Sequence, residues 1–347
     1  MIHQLSLGDF LSQSRQHLTL DVRSEGEYIH GHILHATNLP LFTNEERKIV
    51  GTIYKQQSKN EAILSGLDIV GKKMADFVRF VQPLVKDNKV FVHCWRGGMR
   101  SGSMAWLLNL FGYEVFVLTG GYKAYRRYIL ETFLAKFKFI VIGGHTGSGK
   151  TQMLQHLKEQ GEQVIDLEGL ANHKGSAFGA LGQLPQPSTE YFENRMAEEL
   201  RTFNPDKVIW LEDESRTIGK VFLDINFWNQ LRLSPLYVLE VPIEVRIKNL
   251  MAEYGSFTAE ELKTSFSNIT KRLGNEQWKT AVAALEENDI ETAAKIALRY
   301  YDKAYDKGIA MKETKEIIRI AVIEDNLSAA TKTIIESACI NRPIQKQ

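Results

Sequence analysis

The sequence predicts an α/β protein in two parts, a parallel-sheet domain over residues 1–134 and a second α/β domain with a helical C-terminal region over residues 135–347. Three observations carry this. Short β-branched runs alternate with helical patterns in both parts, as parallel strands joined by crossover helices do. In each part a glycine-rich loop follows an apolar run directly. From about residue 258 onward the pattern becomes mainly helical and charged.

The elements follow in order. "LTLDVR" (18–23), "KVFVHC" (89–94) and "YEVFVL" (113–118) read as strands, with an amphipathic helix over 74–85 and another helix beginning at Ser101. "TGGY" (119–122) is a turn, and "KAYRRYILETFL" (123–134) is the helix that leads out of the first domain. The second domain opens with the strand "FKFIVIGG" (137–144) and a helix from Lys150. "QVIDLE" (163–168), "KVIWLEDE" (207–214) and "LYVLEVP" (236–242) supply further strands. "NEQWKTAVAALEENDIETAAKIALRYYDKAY" (275–305) is the clearest helical stretch, and no solenoid period repeats.

Composition bounds the class. The chain has 347 residues, enough for two domains of about 100 to 200 residues each. Its 44% hydrophobic and 24% charged residues exclude disordered, collagen-like and coiled-coil classes. The net charge of +1 divides as 16 Lys and Arg against 12 Asp and Glu in residues 1–131, and 27 against 30 in the remainder. An RNA partner would therefore be held by local basic patches rather than by overall charge. The start "MIHQLSLGDFLSQSRQ" lacks a basic segment and a long apolar run, so it does not read as a signal peptide. The longest apolar stretch, 104–118, is broken by Asn109, Gly112 and Glu114 before it reaches the roughly 20 residues of a membrane span. A soluble, cytoplasmic protein is expected. The two cysteines, Cys94 and Cys339, make neither a disulfide framework nor a metal cluster and read as free thiols.

"GGHTGSGKT" fits G-x-x-x-x-G-K-[ST] between a strand and a helix. Gly144, Gly147, Ser148 and Gly149 would turn backbone N–H groups toward phosphate oxygens, Lys150 adds a full charge, and Thr151 would ligate Mg²⁺ if a metal is used. The second domain is thus P-loop NTPase-like, although the loop does not say which phosphate compound it holds. Glu212, Asp213 and Glu214 end the third strand, where a metal-organising carboxylate would sit, and Asp166 and Glu168 end another. Solvated loop carboxylates are the plain alternative.

In "HCWRGGMRS", Cys94 follows a strand and precedes a helix, a place where loop N–H groups and the helix N-terminus favour the thiolate. Arg96, Gly97, Gly98, Arg100 and Ser101 complete an oxyanion-sized loop. The spacing H-C-x₅-R-S is equally that of cysteine phosphatases, which also need an aspartic general acid; Asp68, Asp76 or another residue would have to supply it.

Longer signatures narrow the choice. "DVRSEGEYIHGHILHATNLP" (21–40) and "LTGGYKAYRR" (118–127), with Cys94 between them, resemble the opening and closing signatures of rhodanese domains. Together with "LPLFTNEERKIVGTIYKQQSKNEAILSGLDIV" (39–70), "GHTGSGKT", "DLEGLANHKGSAFG" and "WLEDESRTIG", the chain resembles the tRNA 2-selenouridine synthases over nearly its full length.

That resemblance implies a transferase that S-geranylates the wobble 2-thiouridine of tRNA with geranyl diphosphate, then exchanges the geranylthio group for selenium from selenophosphate. Cys94 matches the family's catalytic cysteine, which carries selenium as an S-selanyl intermediate. The P-loop, 144–151, becomes the natural holder of the prenyl donor's diphosphate. No tightly bound cofactor is expected. For RNA, "YKAYRRY" offers Lys123, Arg126 and Arg127 among tyrosines, and "YKQQSKN" offers Lys55 and Lys59, though such stretches are often plain solvated faces. The alternatives are a rhodanese-fold phosphatase or sulfurtransferase fused to a P-loop kinase or NTPase, and a non-catalytic tRNA-binding protein. Release of phosphate from an aryl phosphate would favour the phosphatase, and intact Cys94, Lys150 and Thr151 argue against the non-catalytic reading.

Overall fold

A computed structural model describes residues 1–314, 316–322 and 327–340, the side chains of 339 and 340 excepted. The thiol of Cys339 therefore lies outside the described residues. Two compact units divide the chain: residues Met1–Thr132 with Glu190–Ala197, and Phe133–Thr189 with Glu198–Gln347.

The first unit runs β1 (Ile2–Leu5), α1 (Leu7–Ser14), β2 (Leu18–Asp21), α2 (Glu25–His30), β3 (Thr37–Asn38), α3 (Asn44–Gln56), α4 (Lys59–Gly71), α5 (Met74–Val81), β4 (Lys89–His93), α6 (Met99–Leu110), β5 (Glu114–Leu118) and α7 (Gly121–Thr132). All five strands are parallel, in the order β1-β5-β4-β2-β3. Helices cover both faces, so β4 and β5 read as continuous apolar runs rather than alternating ones. Val90, Val92, Val115 and Val117 pack with Leu20, Met104 and Leu108 in one core.

Sequence reasoning did not anticipate β1, β3, α3 or α4. β3 is two residues and β1 four, too short for a periodic signal. α3 does carry a start signal, a capping box in which Thr43 and Glu46 satisfy each other's backbone N–H groups.

A buried polar network lies at the C-terminal ends of β2 and β4. Arg23 is 1% exposed and Asp21 fully buried. The guanidinium donates to Asp21 from Nη2 at 2.6 Å and from Nε at 3.0 and 3.1 Å, and to the Gly31 carbonyl at 2.6 Å. Its face covers the Tyr122 ring at 3.7 Å. Arg126 bonds Glu193 and Asn194 at 2.5 and 2.6 Å, and Asn194 donates to Tyr122 and to the His32 carbonyl. These bonds fix the segment 190–197 within this unit.

The second unit continues with β6 (Lys138–Gly144), α8 (Lys150–Glu159), β7 (Gln163–Ile165), α9 (Leu167–Ala171), α10 (Thr189–Thr202, of which residues 190–197 belong to the first unit), β8 (Val208–Glu212), β9 (Thr217–Ile218), β10 (Val221–Phe222), α11 (Ile225–Leu233) and β11 (Leu236–Glu240). Then come α12 (Ile243–Tyr254), α13 (Ala259–Ser267), α14 (Thr270–Leu273), α15 (Asn275–Glu286), α16 (Ile290–Ala310), β12 (Ile317–Ala321) and α17 (Leu327–Ile340). Its parallel sheet has the order β12-β11-β6-β8-β7, and β9 and β10 form a small antiparallel hairpin. Ile142, Leu154, Trp210, Leu239 and Ile334 share its core. A second core of Leu262, Phe266, Ala281, Leu285 and Ala293 joins α13, α15 and α16.

The C-terminal region is helical except for β12. That edge strand pairs Ile317 with Leu236 of β11, and Arg319 bonds Glu240 at 2.8 Å across the two strands. Its five residues sit among Lys and Glu, which masked it in the sequence. No described helix is long and apolar enough to cross a membrane.

Candidate functional site

In the first unit, the chain leaves β4 at His93, turns through residues 94–98 and enters α6 at Met99. This is the C-terminal edge of a central parallel strand, where open α/β sheets place their ligands. Gly97 sits at φ +68°, and a Cβ there would lie 2.6 Å from the Leu118 carbonyl. The loop can therefore back onto the end of β5 only with glycine at this position. The backbone N–H of Tyr122 donates to the Cys94 carbonyl at 2.8 Å and that of Lys123 to Trp95 at 3.0 Å. "LTGGYK" thus serves as the rest on which the cysteine loop is built.

Cys94 is 3% exposed, and its Sγ lies 3.2 Å from Ser101 Oγ. Burial pushes the thiol up. The Ser101 hydroxyl and the backbone N–H groups of Arg96, Ser101 and Gly98 outweigh burial and hold it below its ordinary value. His93, by contrast, is fully buried and pushed down to about 4 by that burial, so it is a neutral core residue at physiological pH rather than a partner of the thiol.

Arg100 donates from Nη1 to Glu27 Oε2 at 2.7 Å and from Nη2 to Oε1 at 3.4 Å, and Arg47 reaches the same carboxylate at 2.8 Å. An incoming oxyanion would have to share Arg100 with Glu27. Burial pushes the Glu27 carboxyl up, but Arg100 and Arg47 hold it below the usual carboxylate range. Arg96 has no ion-pair partner among the described residues. Glu27 and Arg47 were not singled out from the sequence, because nothing local connects α2 or α3 to residue 100.

A groove of about 1090 Å³ opens beside the thiol, between the cysteine loop, α3, α4 and α6. Lys55 and Lys59 line it, as does Lys48, whereas neither Asp68 nor Asp76 does, and no carboxylate is among its lining residues. Asp76 instead pairs with Arg79 at 2.7 Å. Neither of these aspartates is therefore placed as the general acid that a phosphatase requires beside Cys94. Of the other basic stretch, Lys123 and Arg127 are exposed. Arg126, expected as an RNA contact, is occupied by Glu193 and Asn194 within its own unit.

In the second unit, β6 ends at Gly144 and the loop delivers Lys150 and Thr151 to the first turn of α8. Gly147 (φ +80°) approaches the Arg246 carbonyl so closely that a Cβ would lie 2.7 Å from it. The loop is held from behind by α12 and α16. Arg246 donates to the Thr146 carbonyl at 2.9 Å and, through its fork, to Asp302 at 2.6 and 3.0 Å. Asn249 donates to the Gly147 carbonyl, and the Gly144 N–H donates to the Tyr305 hydroxyl at 2.7 Å. These braces come from about 100 and 160 residues away, beyond any local sequence signal.

A cavity of about 600 Å³ gathers Gly144, Gly147, Ser148, Gly149, Lys150 and Thr151 with Asp166, Glu168, Asp213 and Glu214. Lys150 Nζ donates to the Gly144 carbonyl at 3.3 Å, and Thr151 Oγ1 lies 3.5 Å from Glu168 Oε2. Asp213 takes an ion pair from Lys312. Glu212, named with Asp213 as an acidic partner, is 2% exposed and does not line the cavity; its Oε1 accepts the Glu168 N–H at 2.6 Å. Burial and the neighbouring carboxylates push Glu212 well above the usual range, which favours its neutral form. Burial likewise raises Glu168 and Glu214, and Glu168's proximity pushes Glu214 further.

Comparison with known proteins agrees with both halves. The family described as "tRNA 2-selenouridine synthase AAA domain" matches residues 137–332, and "Rhodanese-like domain" matches residues 6–128. The chain is 33% identical over 336 residues to the tRNA 2-selenouridine synthase of Sulfurovum sp. (strain NBC37-1), covering 86% of this chain and 91% of that protein. It is 35% identical to that of Hydrogenovibrio crunogenus (85% and 90% covered) and 38% identical to that of Bdellovibrio bacteriovorus (80% and 72% covered). The chain belongs to the tRNA 2-selenouridine synthase family.

Proposed function

We propose that this chain converts the wobble 2-thiouridine of tRNA to 2-selenouridine through an S-geranyl intermediate. In this reading the P-loop cavity holds the diphosphate of geranyl diphosphate, and the Cys94 loop is where selenophosphate delivers selenium. The observation that carries it is the pairing of two anion-sized loops, one with a thiol biased toward thiolate in a carboxylate-free groove, the other a lysine-bearing P-loop.

In the first step the thione sulfur attacks the prenyl carbon, the C–O bond breaks and diphosphate departs, its charge met by Lys150 and the loop N–H groups. Mg²⁺ carried with the diphosphate fits these residues. Thr151 and Glu168 place two hard oxygen donors side by side, and Glu168 and Glu214 are an acid pair that a cation would ionise. When bound, the ion would neutralise charge on the leaving group.

In the second step selenium takes the place of the geranyl thiol at C2. Selenium has the same oxidation state in selenophosphate and in 2-selenouridine, so direct attack at C2, loss of geranyl thiol and transfer of phosphorus to water balance with phosphate as co-product. If Cys94 first takes selenium as an S-selanyl group, the electron pair of the P–Se bond leaves on phosphorus as phosphite, and a thiol must later return two electrons. Phosphorus NMR of the co-product therefore separates the two routes.

The test is incubation of the full chain with 2-thiouridine tRNA, geranyl diphosphate and selenophosphate, followed by nucleoside mass spectrometry. Cys94→Ser should abolish selenation and leave geranylation, and Lys150→Ala should abolish geranylation. The absence of both modified uridines with the wild-type chain refutes the reading. Loss of both steps in folded Cys94→Ser refutes the division of labour.

A further inference from the structure

The groove beside Cys94 is more apolar than selenophosphate or a phosphate backbone requires. Tyr54 of α3, Ile63 and Leu67 of α4, and Met99 and Trp106 of α6 all line it, yet each is between 37% and 62% exposed. Large side chains left to water along one groove mark a binding site rather than a chance surface. The groove's volume, about 1090 Å³, is ample for a hydrocarbon chain together with a nucleotide. Lys48, Lys55, Lys59 and Arg96 border it without an ion-pair partner among the described residues, and no Asp or Glu lines it. Its occupant should therefore be apolar where it meets α4 and α6, and polyanionic around that.

One ligand has both characters. An S-alkylated 2-thiouridine in RNA bears its hydrocarbon on the sulfur attached to the very carbon at which exchange occurs, so that chain must lie within a few ångströms of the reacting group. We infer that this groove is the subsite for the alkyl substituent of the RNA being selenated, with the basic border holding the flanking phosphates. Leu67, Ile63 and Trp106 are then specificity-determining residues, which make the exchange selective for a long alkyl group over a short one. The inference rests on the assignment of exchange to the Cys94 loop.

The experiment compares the full chain with its Leu67→Gln/Trp106→Gln variant on two anticodon stem-loop RNAs, one carrying S-geranyl-2-thiouridine and the other S-methyl-2-thiouridine, with selenophosphate in excess. Both positions are more than half exposed, so the fold should tolerate them; a thermal melt checks that it does. Burial of several methylenes predicts that the wild-type KM is lower for the geranyl RNA by roughly 100-fold or more. The variant should raise the geranyl KM by at least about tenfold, with kcat and the methyl KM unchanged. An unchanged geranyl-to-methyl ratio, or an equal rise on both RNAs, overturns the subsite. So does an unchanged ratio accompanied by loss of wild-type self-association in ultracentrifugation, which would make the groove an interface between copies. Failure of the wild type on both RNAs instead overturns the proposed exchange reaction itself, and the subsite with it.

Discussion

Ser101→Ala isolates the contribution of one hydroxyl to the reactivity of Cys94. The Oγ lies 3.2 Å from Sγ and 3.1 Å from the Gly98 carbonyl, and it has a single proton for the two. With the thiol protonated, the hydroxyl serves Gly98; once the thiolate forms, the proton turns to sulfur. A hydrogen bond to a charged group contributes roughly 1.5–3 kcal/mol and the neutral bond given up about 0.5–1.5, leaving a net of about 1 kcal/mol for the thiolate. Since one pKa unit corresponds to about 1.4 kcal/mol, the substitution should raise the Cys94 pKa by about 0.7. At any pH below both values, the thiolate population, and with it the rate of alkylation, should fall about fivefold. The assay is iodoacetamide alkylation across pH, with the Cys94 peptide read by mass spectrometry so that Cys339 does not interfere. The backbone N–H groups of Arg96, Gly98 and Ser101 persist in the variant, so the thiol should remain reactive. An inflection that stays within about 0.2 of the wild type, or moves down, refutes the view that the Ser101 side chain adds to the bias set by the loop backbone.

Three further outcomes follow from the buried polar groups. Arg23→Leu should cost about 3–5 kcal/mol in guanidinium unfolding because it strands the Asp21 charge, and Arg23→Leu/Asp21→Leu should recover most of it; equal losses would mean the pair is not coupled. Burial holds Glu212 well above the 4.5 of the unfolded chain, so it makes stability fall as pH rises from there toward its folded value, by about 1.4 kcal/mol per unit. Glu212→Gln keeps the acceptor for the Glu168 N–H and removes that slope, so its melting temperature should exceed the wild type's by more at pH ~8 than at pH ~5; equal differences refute a neutral Glu212. Arg246→Lys keeps the charge but loses the fork joining Thr146 to Asp302, and should weaken inorganic diphosphate binding about tenfold in calorimetry, whereas unchanged affinity would show that the P-loop holds its shape without α12.

Legibility in the sequence follows the range of the interaction involved. Both loops were readable because strand, glycine turn and helix start lie within about ten residues, although the contacts that demand glycine at Gly97 and Gly147 come from Leu118 and Arg246, farther along the chain. What holds the loops was not readable: Glu27 reaches Arg100 across 73 positions, and Tyr305 reaches Gly144 across 161. Glu212 and Asp213 show a subtler limit, because Glu212 ends β8, Asp213 is the residue just past it, and consecutive residues of an extended chain face opposite sides. Spacing could nominate both, but only the sheet decides that Asp213 meets the cavity while Glu212 turns inward to hold the Glu168 backbone. α4 escaped for a reason tied to the proposed function. A helix announces itself by keeping its apolar residues on one buried face. Ile63, Leu64 and Leu67 of α4 are between 37% and 62% exposed, and the apolar periodicity of this helix is weak. In α4, side chains proposed to meet a ligand are withdrawn from the pattern that would have revealed the helix, so a segment with an N-cap serine, Ser58, but a weak apolar stripe is itself a pointer to a binding surface.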